Sequence, residues 1–185
     1  MYAYAFIAYF DYETEELLKN LWKNLSEKNI TQYGLDVKGK RPHITIADYD
    51  NLSKNKFIAL LDEFYNNKSS VDVELNTLGS FINTGTLFIA PMLSRELFDF
   101  HREHHNYFKI FNDNEKSFYI PGKWTPHCTI ASRLNEDNMI QAFKHCKSNL
   151  PKIYGEISEV ALIEVKLNDY GIAIEDTVIF SKKLR

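Results

Sequence analysis

Pro42-His43-Ile44-Thr45-Ile46-Ala47 and Pro126-His127-Cys128-Thr129-Ile130-Ala131 are two copies of one pattern, Pro-His-x-Thr-Ile-Ala, one in each half of a 185-residue chain. Residues two apart on a strand point to the same face, so each copy presents an imidazole and a hydroxyl side by side. A single His-x-Thr would be ordinary sequence. Two matched copies in equivalent slots predict two strands that meet across a cleft and hold two His and two Thr around one small anion.

The sequence around each copy has the same order of elements. Tyr2 to Phe10 reads as a buried strand, and Leu17, Leu18, Leu21, Trp22 and Leu25 form a helical stripe over residues 14–28. A loop with Gly34 and Gly39 leads to the first motif strand. A helix from Ser53 and an alternating strand over residues 71–78 follow. In the second half, residues 81–90 read as a strand broken by a turn near Asn83–Gly85. Residues 94–111 read as a helix carrying Leu97, Phe98, His101, His105 and Phe108. The second motif strand, over residues 124–131, comes next. A helix capped by Asn135 is expected to turn Met139, Ile140 and Phe143 inward, and a hairpin over residues 156–182 closes the chain. Each half is strand, helix, motif strand, helix, strand. The predicted class is α+β: one bilobal domain spanning 1–185, with approximate halves 1–78 and 79–185. Two antiparallel sheets would flank a central cleft, helices outside, related by a pseudo-two-fold axis.

Composition sets the limits. An apolar content of 44%, with 13 Phe and 11 Tyr, is ample for a packed interior. The net charge of −3 lacks the basic footprint that a long nucleic-acid duplex requires, so any nucleic-acid contact should be local, at a strand end or a small nucleotide. Cys128 and Cys146 give no disulfide framework, and the N-terminal residues show no secretory pattern or membrane-length apolar run. A soluble, cytoplasmic, monomeric protein without membrane contact is expected.

Cleaving a phosphodiester in line needs one group to take a proton from the nucleophile and another to protonate the leaving oxygen. Imidazole suits both roles because its unperturbed pKa is about 6.5. The hydroxyls of Thr45 and Thr129 would face the developing charge on the non-bridging oxygens, and β-branching restricts their rotamers. His43, Thr45, His127 and Thr129 are therefore the candidate catalytic residues, and the scheme uses no metal and no cofactor.

At these residues the chain resembles the two-histidine (2H) phosphoesterase superfamily, which includes bacterial RNA 2′,3′-cyclic phosphodiesterases, also called 2′-5′ RNA ligase-like proteins. The resemblance carries the family's motif His and Thr onto His43, Thr45, His127 and Thr129. It implies a bilobal α+β fold, no obligatory metal, and a 2′,3′-cyclic or related phosphodiester on a small nucleotide or an RNA end, with ligation as the reverse reaction. A non-catalytic nucleotide or RNA-end binding module on the same fold is the alternative.

Candidate substrate contacts lie next to the motifs. Arg41 shares the face of His43 if the strand extends past Pro42, and Lys123 precedes the second motif. Trp124, Tyr119 and Phe118 could stack a base, and Tyr9 could line the cleft. Cys128, between the motif residues, should point into a core. His101, Arg102, Glu103, His104 and His105 read as a solvated or partly packed helix face. A metal hydrolase built on this cluster would need a third ligand of matching spacing, and none is evident.

Overall fold

A computed structural model of the chain describes residues 2–82, 84–112 and 114–185. Its strands are β1 (Tyr2–Phe10), β2 (His43–Tyr49), β3 (Val71–Phe81), β4 (Thr86–Pro91), β5 (Cys128–Ala131), β6 (Ile153–Leu167) and β7 (Ala173–Lys183). Its helices are α1 (Tyr12–Glu27), α2 (Lys54–Phe64), α3 (Arg95–Tyr107) and α4 (Glu136–Asn149), with one 3-10 turn at Lys109–Phe111. The class is α+β, with an antiparallel sheet of seven strands among the described residues.

The strand order is β2-β1-β6-β3-β4-β5, with β7 beside β6. This order reads the same from either end when β1, β2 and β3 exchange with β4, β5 and β6. The two halves of the sequence are thus related as a duplicated unit, but each half lends its third strand to the other. β6 pairs with β1 and β3 pairs with β4, while β3 and β6 meet antiparallel at the centre, from Val71↔Ile157 to Leu75↔Ile153. The expected two sheets are therefore continuous through β6. β2 and β5, at opposite ends of the strand order, come into contact with each other, so the sheet bends back on itself and brings the motif strands together.

Alternation sorts the side chains. Phe6, Ala8, Phe10, Ile44, Ile46, Cys128 and Ile130 join the large core beneath the helices. Ile7 and Tyr9 pack with Ala161 and Ile163 in a second cluster. Ile7 pairs with Thr45 and Tyr9 with His43, which sets the motif residues on the concave face.

Local chemistry fixes the helix starts. Asp11 accepts hydrogen bonds from the Thr14 N–H at 2.9 Å and the Thr14 hydroxyl at 2.8 Å, and from the Glu156 N–H on β6 at 2.8 Å. A Cβ on Gly155 would meet the Thr14 hydroxyl oxygen at 2.1 Å, so only glycine lets this cap close on β6. Asn135 caps α4 through the Asn138 N–H at 2.8 Å, as its sequence predicts.

Two sequence readings are corrected and a third is narrowed. Residues 81–90 are not one interrupted strand: β3 runs to Phe81, and a turn leads into β4. Gly85 takes φ +61°, and Asn83 lies outside the described residues. On α4, Ile140 and Phe143 are 60% and 41% exposed, and the buried residues are Ala142 and Cys146. The helix approaches the sheet on its small residues, because large ones there would hold it off. Of the two readings of the 101–105 cluster the partly packed one holds: His101, His104 and His105 are buried, and only Arg102 and Glu103 are exposed.

Those three rings have partners that explain their burial. His104 bridges the Tyr49 and Tyr65 hydroxyls at 2.9 and 3.0 Å and stacks on Phe6 at 4.3 Å. His101 Nε2 donates to the Tyr119 carbonyl at 2.7 Å, and His105 Nε2 donates to the Ile46 carbonyl at 3.0 Å. Burial pushes His101 down to about 4 and His104 well below the ordinary histidine range. Rings neutral in the folded state and free to protonate when unfolded make stability pH-dependent in a fixed direction. Stability is full above about pH 6.5 and falls with acidification toward about pH 4, by up to about 1.4 kcal/mol per pH unit for each such ring. Urea midpoints at pH 7.5 and 5.0 should differ accordingly, and equal midpoints would contradict burial of neutral rings.

Candidate functional site

Each motif begins the same way. Proline restricts the residue before it to extended backbone, and in both copies the carbonyl of that residue becomes the histidine's partner. His43 Nδ1 bonds the Arg41 carbonyl at 2.7 Å, and His127 Nδ1 bonds the Thr125 carbonyl at 2.7 Å. A carbonyl only accepts, so Nδ1 carries the hydrogen in each neutral ring and Nε2 keeps its lone pair. The two copies thus match in tautomer as well as in sequence.

The rings are close enough to sense each other, because a charge on His127 disfavours protonation of His43. Burial first, then the ammonium of Lys40, pushes His43 down to about 4. His127 is lowered by burial as well, against the favourable pull of the Thr125 carbonyl. Both rings are neutral at pH 7 in the free protein. His127 lies edge-on to Phe81 at 4.8 Å and beside Phe88 at 5.3 Å, and His43 lies edge-on to its cross-strand neighbour Tyr9 at 6.4 Å.

Two tyrosines cross the site. The Tyr33 phenol lies within reach of Thr129, and the Tyr119 phenol within reach of Thr45. Tyr33 precedes the first motif and meets the threonine of the second, while Tyr119 precedes the second and meets that of the first. Burial raises the pKa of both phenols, so both remain protonated.

A cavity of about 810 Å³ opens beside β5, lined among others by His127, Thr129, Tyr33, Tyr119, Lys40 and Lys123. Of the five expected substrate contacts, Tyr119 and Lys123 are on its wall. Lys123 Nζ also donates to the Glu115 carbonyl at 3.0 Å. The structure places the other three against protein partners. Arg41 forms a two-pronged pair with Glu15 at 2.9 and 2.7 Å, reaches Glu159 at 3.3 Å, and lies 3.6 Å over the Tyr9 ring. Its charge is satisfied by carboxylates, and Tyr9, only 2% exposed, is the surface on which it stacks. Trp124 stacks on His101 at 3.9 Å and donates its indole N–H to the Thr45 carbonyl at 2.9 Å, which braces β2 from behind. Phe118 is exposed at the cavity rim. Cys128 points into the core as expected, its thiol pushed up to about 12 by burial.

Sequence reasoning missed Tyr33 and Lys40, which sit in the glycine-containing stretch read as a plain loop. Among the described residues, no group of three or more His, Cys, Asp or Glu is arranged to hold a metal, and no helix is long and apolar enough to cross a membrane.

The model of the 2′-5′ RNA ligase superfamily matches residues 15–169. Among solved structures, E. coli LigT complexed with 3′-AMP is similar at 13% identity and TM-score 0.62, covering 98% of this chain and 96% of that one. The TT0787 protein of Thermus thermophilus is similar at 15% identity and TM-score 0.63, covering 99% and 98%. A crystal structure described as a phosphoesterase is similar at 14% identity and TM-score 0.64, covering 98% and 97%. At these identities the likeness is one of fold. No curated protein matches the sequence.

Proposed function

The chain belongs to the 2′-5′ RNA ligase superfamily, and on that premise we propose that it is a phosphodiesterase that opens a 2′,3′-cyclic phosphate on a small nucleotide or an RNA end. The observation that carries this reading is the matched pair of imidazoles. Both hold their hydrogen on Nδ1 against a backbone carbonyl, and both keep Nε2 for chemistry. One Nε2 takes a proton from water as its oxygen attacks phosphorus. The bond from phosphorus to one ribose oxygen breaks, and the imidazolium of the other ring gives that oxygen its proton. Because burial keeps both rings neutral in the free protein, the acid gains its proton with the substrate, whose negative charge favours imidazolium. Thr45 and Thr129 donate to the non-bridging oxygens as charge builds there. Ligation is the reverse of transesterification at the same site: a 5′-hydroxyl attacks the cyclic phosphate in place of water, and the same ribose oxygen leaves.

The acidic net charge of −3 favours a small ligand over a long polyanion. The cavity volume is in the range of small-molecule sites, about 300–1,000 Å³. LigT, similar in fold, has been crystallised with 3′-AMP, which has the form of a cyclic-phosphate hydrolysis product.

Hydrolysis of 2′,3′-cyclic mononucleotides and of oligonucleotides ending in a cyclic phosphate, measured with chelator present, tests this. Turnover to a phosphomonoester is expected. Binding of the same compounds without turnover would replace the enzyme by a binding module, and activity lost to chelator would overturn the metal-free scheme.

A further inference from the structure

The site is two-fold symmetric in its histidines and threonines but not in its charge. On one side Lys123 is exposed. On the other, the Lys40 side chain is only 8% exposed, yet it reaches the cavity wall and lies 4.9 Å over the Tyr33 ring. Its placement comes from β7, which has no counterpart in the symmetric six-strand order. Lys38 bridges Glu175 in parallel, the Lys38 N–H donates to the Ile174 carbonyl at 3.2 Å, and the Asp176 N–H donates to the Lys38 carbonyl at 2.8 Å. Between them Gly39 takes φ +80°, and a Cβ there would meet the Asp176 carbonyl oxygen at 2.3 Å. The loop is thus clamped to β7 and delivers Lys40 to the site.

A desolvated ammonium is costly unless it is paired and hydrogen-bonded. Lys40 faces Asp176, itself 6% exposed, at 3.6 Å. That is well beyond the roughly 2.7–2.9 Å of a charge-assisted hydrogen bond. Burial raises the Asp176 pKa, and Lys40 opposes that shift without cancelling it. The result is a buried cation, loosely held, on the wall of a cavity shared with His127 and Thr129.

We infer that Lys40 is a substrate-contacting residue: its ammonium binds a non-bridging oxygen of the phosphate group in the cleft, and Asp176 holds that ammonium in the free protein and competes with the anion for it. The inference rests on the phosphate-ester reading of the site and adds to it the polarity of binding. A buried cation on one side and an exposed one on the other make the two orientations of the phosphate inequivalent.

Inorganic phosphate and 3′-AMP are suitable probes, with binding measured by calorimetry and folding checked by thermal melting. Lys40→Met should weaken both by at least about tenfold, and Lys40→Arg should keep most of the affinity. Asp176→Asn should tighten both several-fold, because the competing carboxylate is gone. A purely structural Lys40–Asp176 pair predicts the opposite for Asp176→Asn, with unchanged or weaker binding and a lower melting temperature. Phosphate affinity untouched by Lys40→Met, no tightening in Asp176→Asn, or no binding of either probe to the wild type would overturn the inference. Cyclic-nucleotide turnover that persists equally in Lys40→Met would reject the role of Lys40 while leaving the phosphodiesterase reading intact. Probe binding with the expected variant effects but no turnover would do the reverse.

Discussion

Replacing either His43 or His127 by alanine is expected to lower kcat/KM for a 2′,3′-cyclic nucleotide by about 10²–10⁴-fold, the range of a positioned acid or base. The double variant should be much less impaired than the product of the two single losses. With one partner gone the remaining ring has no concerted transfer to complete, so residues acting as a unit do not add. Folding should survive. Each ring's hydrogen bond is to a carbonyl two residues away, so its loss leaves the sheet pairing of β1 with β2 and of β4 with β5 intact. Circular dichroism and melting of the three variants, beside initial rates, separate loss of chemistry from loss of structure. A single alanine variant that turns over near the wild-type rate would refute the two-proton scheme.

The repeated motif was visible in the sequence because its chemistry and its strand period coincide. Alternating core and cleft residues in β2 and β5 follow directly from Ile44, Ile46, Cys128 and Ile130 lying between the motif side chains. The exchange of β3 and β6 between the halves was not legible. Periodicity reports which face of a strand is apolar and says nothing about which distant strand it pairs with. On α4 the hydrophobic ranking of Ile140 and Phe143 outweighed the stripe of Ala142 and Cys146, although a helix lying close on a sheet needs its small residues at the contact. Lys40 and Arg41 show the limit for charged residues. Both precede the motif, but Glu15, on a helix 26 residues earlier, engages Arg41, and β7, from the far end of the chain, delivers Lys40. Only the assembled fold distinguishes the satisfied cation from the loosely held one.

The buried histidines of α3 connect the core to the chemistry. His105 holds the Ile46 carbonyl on β2, and His101 holds the Tyr119 carbonyl while stacking on Trp124, whose indole holds the Thr45 carbonyl. Two hydrogen bonds from α3 and one from the Trp124 indole thus fix the Thr45 and Ile46 carbonyls of the motif strand and the Tyr119 backbone. A residue pattern that resembles a metal cluster in the sequence is, in the fold, a brace for the motif strand.

The second large effect concerns that threonine and its counterpart. Thr45→Val or Thr129→Val keeps the β-branched shape and removes the hydroxyl, so strand geometry is preserved while a donor to the developing charge is lost. Each should reduce kcat by about 10²–10³-fold, about 2.7–4 kcal/mol of transition-state stabilisation, with a smaller change in KM. The crossed tyrosines make this prediction specific. Tyr33→Phe removes the hydroxyl within reach of Thr129, and Tyr119→Phe removes the one within reach of Thr45. Each tyrosine change alone should cost less than its threonine, since the phenol orients the donor instead of supplying it. Combined variants should then be non-additive for Tyr33 with Thr129 and for Tyr119 with Thr45, and additive for the uncrossed pairs Tyr33 with Thr45 and Tyr119 with Thr129. Coupling within the uncrossed pairs would show that the hydroxyls do not act through the partners the fold gives them. Valine variants with unchanged kcat would remove the threonines from the reaction altogether.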